Sequence, residues 1–194
     1  MNGDLDIMIA EDHRDLLGKW MKILLYMKLV SFGNILLGLL PFGDGIVRLI
    51  AFAVNGACVY VLFRMSPVCK RYRTVAILNG VLMASGLFPH SALALVFSIC
   101  SLVADYQEYA GHGDVTAGLD EKLAGKWRFL FWLEIIVTMG LSVLMAIGLV
   151  IVALVSGGTP AQTDTVGIVS TVTEILMRVI YLVYLNKTVK LFTE

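Results

Sequence analysis

The stretch TVAILNGVLMASGLFPHSALALVFSICSLVA, Thr74–Ala104, decides how this chain crosses a membrane. As one straight helix it would be about 46 Å long, whereas the hydrocarbon core of a bilayer is about 30 Å thick. Pro89, near its middle, has no backbone N–H to donate and disfavours helical geometry at the residue before it. We therefore expect two short helices, Thr74–Leu87 and Ser91–Ala104, which either cross the bilayer twice or form a re-entrant hairpin.

The composition indicates an integral membrane protein. Its 194 residues are 58% hydrophobic and 15% charged, and charged residues make up about 25% of an average soluble domain. Four further apolar runs have about the length that a transmembrane helix needs. They are Lys22–Leu40, Ile46–Phe63, Phe129–Val155 and Val166–Leu185. The sequence thus predicts an all-α integral membrane protein, a single polytopic domain over residues 1–194 with six transmembrane segments in three hairpins.

Lysine and arginine residues are distributed asymmetrically about these segments. If the N-terminus is cytoplasmic, every Lys and Arg except Lys28, Arg48 and Arg178 lies on the inner side. Basic residues in short loops favour the cytoplasmic side of a membrane. We therefore predict a multi-pass protein of the plasma membrane with both termini cytoplasmic. Residues 1–19 and 105–126 are then cytoplasmic or interfacial segments.

A Gly-Lys-Trp triplet occurs twice, at 18–20 and at 125–127, each time just before an apolar run. Tryptophan is enriched at membrane interfaces, and lysine there can reach lipid phosphates. The repeat predicts that Trp20 and Trp127 both lie at headgroup level on the inner side. Asp120 is the expected N-cap of a helix that leads into the second triplet.

Several polar residues fall inside the predicted spans, where they are costly and often functional. Counted at about 1.5 Å per residue, Lys28, Glu134 and Arg178 lie at a similar depth. We expect one ion pair between Lys28 and Glu134 and another between Glu174 and Arg178, four positions apart on one helix. The predicted intramembrane polar cluster consists of Lys28, Glu134, Glu174, Arg178, Asn34 and Asn55. It either holds helices together or forms a solute or proton site.

A metal site is one interpretation of the segment after Ala104. Asp105, Glu108 and His112 would share a face if the preceding helix continued, and carboxylates with an imidazole could bind a divalent ion. However, Gly111 and Gly113 favour a helix end there. The segment is then the polar end of an interfacial helix, and we expect no metal and no cofactor.

The functional classes follow from what the chain lacks and from its architecture. No catalytic or phosphate-loop motif is present, and a net charge of zero gives no nucleic-acid footprint. The first hypothesis is a non-enzymatic interaction or accessory subunit, with lipid and other membrane proteins as partners. The alternative is a transporter or substrate-binding membrane subunit for a small polar solute.

In architecture the chain is similar to the S components of energy-coupling-factor vitamin transporters, in helix number, chain length and the side of both termini. That resemblance would imply a solute site within the bundle. A carrier needs a water-accessible cavity lined by Glu174, Asn34 or Asn55, whereas an accessory subunit would have these side chains packed dry.

Overall fold

The computed structural model describes residues 13–38, 44–85, 94–156 and 164–193, and this part of the chain is all-helical. The helices are α1 Arg14–Gly38, α2 Asp44–Met65, α3 Lys70–Ser85, α4 Ala94–Thr116, α5 Glu121–Ser156 and α6 Asp164–Thr193. Among the described residues, four stretches are long and apolar enough to cross a membrane. These are Arg14–Gly38, Gly45–Met65, Glu121–Gly148 and Val169–Thr193. The predicted break around Pro89 lies outside the described residues.

Most helices extend well past the predicted apolar spans. Helix α1 begins at Arg14 and α5 at Glu121, while α6 continues to Thr193. Lys, Arg and Glu are good helix formers, so the first charged residue limits the apolar run but not the helix. The expected N-cap is confirmed, because Asp120 Oδ1 accepts a 3.0 Å hydrogen bond from the backbone N–H of Leu123.

The predicted end of α4 near Gly111 and Gly113 is wrong. The helix continues to Thr116, and Gly118, with a φ of 92°, lies in the connection that follows. A Cβ on Gly111 would lie 3.0 Å from Cε1 of Tyr72. Glycine therefore permits α3 and α4 to approach closely here, and it does not end the helix.

The six helices form a closed ring. Each helix contacts the next along the chain, and α6 also contacts α1. Helices α1 and α6 run antiparallel, since Arg14 at the start of α1 donates to the carbonyl oxygen of Leu191 near the end of α6. Helices α3 and α4 do as well, since Arg71 near the start of α3 donates to Asp114 near the end of α4 at 2.6 Å. This hydrogen bond raises the pKa of the Arg71 guanidinium above its ordinary value. The start of α1, the end of α6 and the connections 66–69 and 117–120 thus meet at one end, here called the packed end.

The buried core lies at the packed end. It is built from the first halves of α1, α3 and α5 and the second halves of α2, α4 and α6. Its largest fully buried side chains include Leu17, Met21, Leu62, Tyr72, His112, Trp127, Leu130 and Leu185. Towards the opposite end the helices leave space between them, which is where the cavity described below lies.

The outer surface of the bundle is strongly apolar. On α5, Phe129 is 61% exposed, Met139 66% and Leu144 68%. Soluble monomers rarely expose contiguous apolar patches of this kind. Lipid covers such a surface without cost, so the outer faces are consistent with a membrane protein.

The two Gly-Lys-Trp triplets lie in different environments. Trp20 is partly buried and packs edge-on against Tyr60, with their ring centroids 5.9 Å apart. Trp127 is fully buried, and its Nε1 donates to Thr188 Oγ1 at 2.9 Å. Trp127 therefore packs inside the bundle, because this face of α5 turns toward α6 and the core. Its depth at headgroup level stays a prediction.

Candidate functional site: a charged cavity between four helices

Helices α1, α4, α5 and α6 surround a cavity of about 440 Å³. Four acidic and two basic side chains line it, a formal charge of −2: Lys28, Asp105, Glu108, Glu134, Glu174 and Arg178. Serine and threonine hydroxyls line it as well, namely those of Ser101, Thr138, Ser142, Ser170 and Thr173. The wall can therefore offer both charge and hydrogen bonds to a polar molecule.

The floor of the cavity is an ion pair. Lys28 Nζ lies 2.7 Å from Glu108 Oε1, and the two side chains are 24% and 6% exposed. Tyr181 donates its hydroxyl to the same carboxylate oxygen at 2.5 Å. These contacts join α1, α4 and α6 at the level where the packed core begins.

The predicted pairing of Lys28 with Glu134 is wrong. Lys28 pairs with Glu108, and Glu134 Oε2 instead accepts a 2.5 Å hydrogen bond from the Tyr109 hydroxyl. The depth estimate placed Lys28 and Glu134 at one level but could not fix which way each helix turns. It also assigned Glu108 to an interfacial segment, so this carboxylate was not considered as a partner.

A buried hydrogen-bond chain continues below the floor. His112 Nε2 lies 3.1 Å from the Tyr181 hydroxyl oxygen, and His112 Nδ1 lies 2.9 Å from that of Tyr72. The only hydroxyl hydrogen of Tyr181 goes to Glu108, so Tyr181 must accept from His112 Nε2–H. Nδ1 then accepts from Tyr72. These contacts fix the tautomer of His112, with the proton on Nε2. Every hydrogen bond in the series then donates in one direction, from Tyr72 through His112 and Tyr181 to Glu108.

The candidate metal ligands do not come together as a site. Asp105, Glu108 and His112 do lie on one continuous helix, but both ring nitrogens of His112 are bonded to tyrosine hydroxyls. His112 Nε2 is 3.9 Å from Glu108 Oε1. Across the described ranges, no group of three or more His, Cys, Asp or Glu residues is arranged to hold a metal ion. His112 is fully buried within the bundle, and the alternative of a polar interfacial helix end stays a prediction.

The predicted pair on α6 is confirmed. Arg178 donates to Glu174 Oε1 through Nε at 3.0 Å and Nη2 at 2.9 Å. The side chains are 44% and 51% exposed, and both line the cavity. The pair therefore leaves both groups within reach of a molecule inside the cavity.

The two asparagines of the predicted cluster lie away from this cavity. Asn34 is buried between α1 and α2, where its Nδ2 donates to the carbonyl oxygen of Val47 at 3.1 Å. Asn55 is exposed on α2. The structure thus brings four of the six predicted residues to one cavity and separates Asn34 and Asn55 from it.

Sequence reasoning missed the contribution of α4 to this cavity. Ser101, Asp105, Glu108 and Tyr109 all line it. Their spacing of four, three and one residues is that of one face of a helix. The signal is present in the sequence, but it is recognised only when the helix is continued past Ala104 to Tyr109.

Comparison with known proteins adds no relative. No protein-family model, no curated protein and no solved structure matches this chain.

Proposed function

We propose that this chain is a small-solute-binding membrane protein, either a carrier or a substrate-binding membrane subunit, and that its solute carries a positive charge. The observation that carries the proposal is the cavity of about 440 Å³ with Glu174 in its wall. An accessory subunit would have Glu174 packed dry, and instead this side chain is 51% exposed.

The size and lining of the cavity suit a small polar molecule. Ligand pockets typically have volumes of about 300–1,000 Å³. Ionisable residues within membrane segments are costly and usually face a water-filled space or one another. Four of the ionisable residues that line this space, Lys28, Glu134, Glu174 and Arg178, lie in stretches long and apolar enough to cross a membrane, and Asp105 and Glu108 lie on α4.

The sign of the solute charge follows from which carboxylates lack an ion pair. Lys28 is paired with Glu108 and Arg178 with Glu174. Within the described part of the chain, Asp105 and Glu134 form no salt bridge, and both line the cavity. A cleft lined by excess charge of one sign concentrates the opposite charge. An ammonium or guanidinium group is therefore the expected partner of these two carboxylates.

Topology is part of the same proposal: six crossings of the plasma membrane, with the packed end cytoplasmic. The basic residues support it, since Arg14, Lys70, Lys122 and Lys190 all lie at helix ends that meet there. The floor formed by Lys28 and Glu108 lies nearest the packed end, and Met145 and Ser170 line the part farthest from it. The solute then enters from the outer side.

The test is a binding screen with purified protein in lipid nanodiscs. Thermal unfolding is measured with a panel of primary amines, guanidines and quaternary amines, and with carboxylates of matched size. A ligand present at about 100 times its Kd stabilises the folded state by about 2.7 kcal/mol. We expect members of the cationic classes, and not the carboxylates, to raise the unfolding temperature.

Variants show whether the cavity is responsible for any such shift. Asp105→Asn with Glu134→Gln should abolish it. Asp15→Asn with Glu121→Gln makes the same charge change at exposed positions outside the cavity, and should leave the shift unchanged. If no cationic compound stabilises the protein, or if the cavity variant responds like the control, the accessory-subunit hypothesis is preferred.

A further inference from the structure

A second, oppositely charged cleft lies at the packed end, between the starts of α1 and α5 and the end of α6. Its volume is about 470 Å³. Five basic side chains line it, namely Arg14, Lys122, Lys126, Lys187 and Lys190. We propose that this basic cleft binds a phosphate-bearing anion, supplied either by the headgroup of an anionic lipid or by a small soluble phosphate compound.

Two pairs of lysines, one pair on α5 and one on α6, line the same cleft. Lys122 and Lys126 are four residues apart on α5, and Lys187 and Lys190 are three apart on α6. Like charges at these spacings destabilise a helix. The two lysine pairs also repel each other across the cleft, which adds to this destabilisation. Within the described residues, none of the four lysines forms a salt bridge. A bound anion would offset the repulsion.

The acidic residue in the cleft does not neutralise it. Asp120 is the one acid among the lining residues, and its Oδ1 is engaged as the N-cap of α5. Arg14 Nη2 donates to the backbone carbonyl of Leu191 at 3.0 Å, a contact that keeps its positive charge. The cleft therefore has an excess of positive charge, opposite in sign to the cavity among the four helices.

Its position also suits a headgroup at the membrane surface. Basic pockets between transmembrane helices on the cytoplasmic side bind anionic lipid headgroups. Two leucines, Leu123 and Leu191, complete the lining and offer apolar contact beside the charges. Of the two Gly-Lys-Trp lysines, Lys126 lies in this cleft, whereas Lys19 lies against the ring of Trp20, 5.6 Å from its centroid.

The experiment compares lipid retention by two matched variants. The cleft variant carries Lys122→Gln, Lys126→Gln, Lys187→Gln and Lys190→Gln. The control variant carries Lys19→Gln, Lys22→Gln, Lys70→Gln and Arg73→Gln, which removes the same charge from exposed residues outside the cleft. Native mass spectrometry measures how much phosphatidylglycerol or phosphatidylcholine stays bound to each protein in detergent.

A basic pocket between transmembrane helices binds an anionic headgroup more selectively than scattered basic residues do. Because only the cleft variant loses the grouped lysines, we expect its bound phosphatidylglycerol to fall at least about tenfold relative to wild type. The control variant should retain about as much as wild type. In a second arm, sodium pyrophosphate is titrated into protein in phosphatidylcholine nanodiscs and thermal unfolding is measured. Selective phosphatidylglycerol retention identifies a lipid headgroup, and stabilisation by pyrophosphate that the cleft variant loses identifies a soluble phosphate.

Two results would overturn the inference. One is the absence of both phosphatidylglycerol selectivity and stabilisation by pyrophosphate in the wild-type protein. The other is an equal loss of binding in the cleft and control variants, which would show a diffuse charge effect. Both variants leave the cavity residues untouched, so amine binding should persist in them. Failure of either proposal can thus be told from failure of the other.

Discussion

At the scale of single residues, the ion pair of Lys28 and Glu108 is the contact between charged side chains that is most buried in the cavity. Removing one partner of a buried pair leaves an uncompensated charge and costs about 3–5 kcal/mol. We expect Lys28→Met and Glu108→Gln each to lower stability by an amount of that order, measured by thermal unfolding in detergent. The double variant should recover part of the loss.

The exposed pair on the same cavity wall is the internal control. Glu174→Gln should cost only about 0–1 kcal/mol, as is typical of exposed ion pairs, because its side chain and that of Arg178 are half-exposed. Strictly additive losses in the Lys28 and Glu108 variants would mean that the two side chains do not interact.

The histidine chain gives a second residue-scale prediction. Tyr72→Phe removes the hydroxyl that lies 2.9 Å from His112 Nδ1 and leaves a buried acceptor without a partner. Such a loss costs about 1–3 kcal/mol, which we expect to measure as a lower unfolding temperature. Tyr60→Phe is the matched control, since Tyr60 is 57% exposed. Equal stability of the two variants would contradict the chain as described.

At the scale of helices, the two glycines of the repeated triplets predict opposite effects. A Cβ on Gly18 would lie 3.0 Å from the backbone oxygen of Phe192, whereas nothing lies within 4 Å of one on Gly125. Gly18→Ala should therefore lower stability, because a backbone atom of α6 cannot easily move aside. Gly125→Ala should raise it by about 0.5–1 kcal/mol, the usual gain in a helix interior. Unfolding temperatures of the two variants check this, and changes of the same sign would contradict it.

How far the sequence predicts each element depends on what marks its end. The apolar runs gave the four long helices, since composition alone requires a lipid environment for them. Their ends were misplaced wherever charges continue a helix, as at Lys122 and Lys187. The end of α4 was missed for another reason: Gly111 accommodates the ring of Tyr72, and that long-range contact has no local signature.

Local sequence features and long-range contacts also differ in how far they predict the site. Lys28, Glu134, Glu174 and Arg178 stand out as charges within apolar runs, and all four line the cavity. Which charges pair depends on how the helices turn about their axes. The sequence predicts the pairing only for Glu174 and Arg178, because these two residues lie four positions apart on the same helix.

At the scale of the whole molecule, the proposed topology places both described connections of the packed end in the cytoplasm. Single cysteines at Ser66 and Ala117, in a background where Cys58, Cys69 and Cys100 are serine, test it with an impermeant maleimide on intact cells. We expect no labelling until the cells are permeabilised, because basic residues favour the inner side. Cysteine at Gly45, at the other end of the bundle, should label in intact cells. Labelling of Ala117→Cys from outside would mean that α3 and α4 together cross only once.

The cavity between the four helices is proposed to be water-filled and to attract cations, and the reactivity of a cysteine at Ser142 measures both properties. Ser142 lines the cavity, and serine to cysteine preserves its size. Val143 does not line it and is 58% exposed, so Val143→Cys should face lipid. Two impermeant methanethiosulfonates are compared in the cysteine-free background, one with a trimethylammonium group and one with a sulfonate.

We expect Ser142→Cys to react with the cationic reagent at least about tenfold faster than with the anionic one, after correction for their rates with free cysteine. Val143→Cys should react with neither. Adding Asp105→Asn and Glu134→Gln should remove the preference for the cation. An unreactive Ser142→Cys, or equal rates with the two reagents, would contradict the cation-binding cavity.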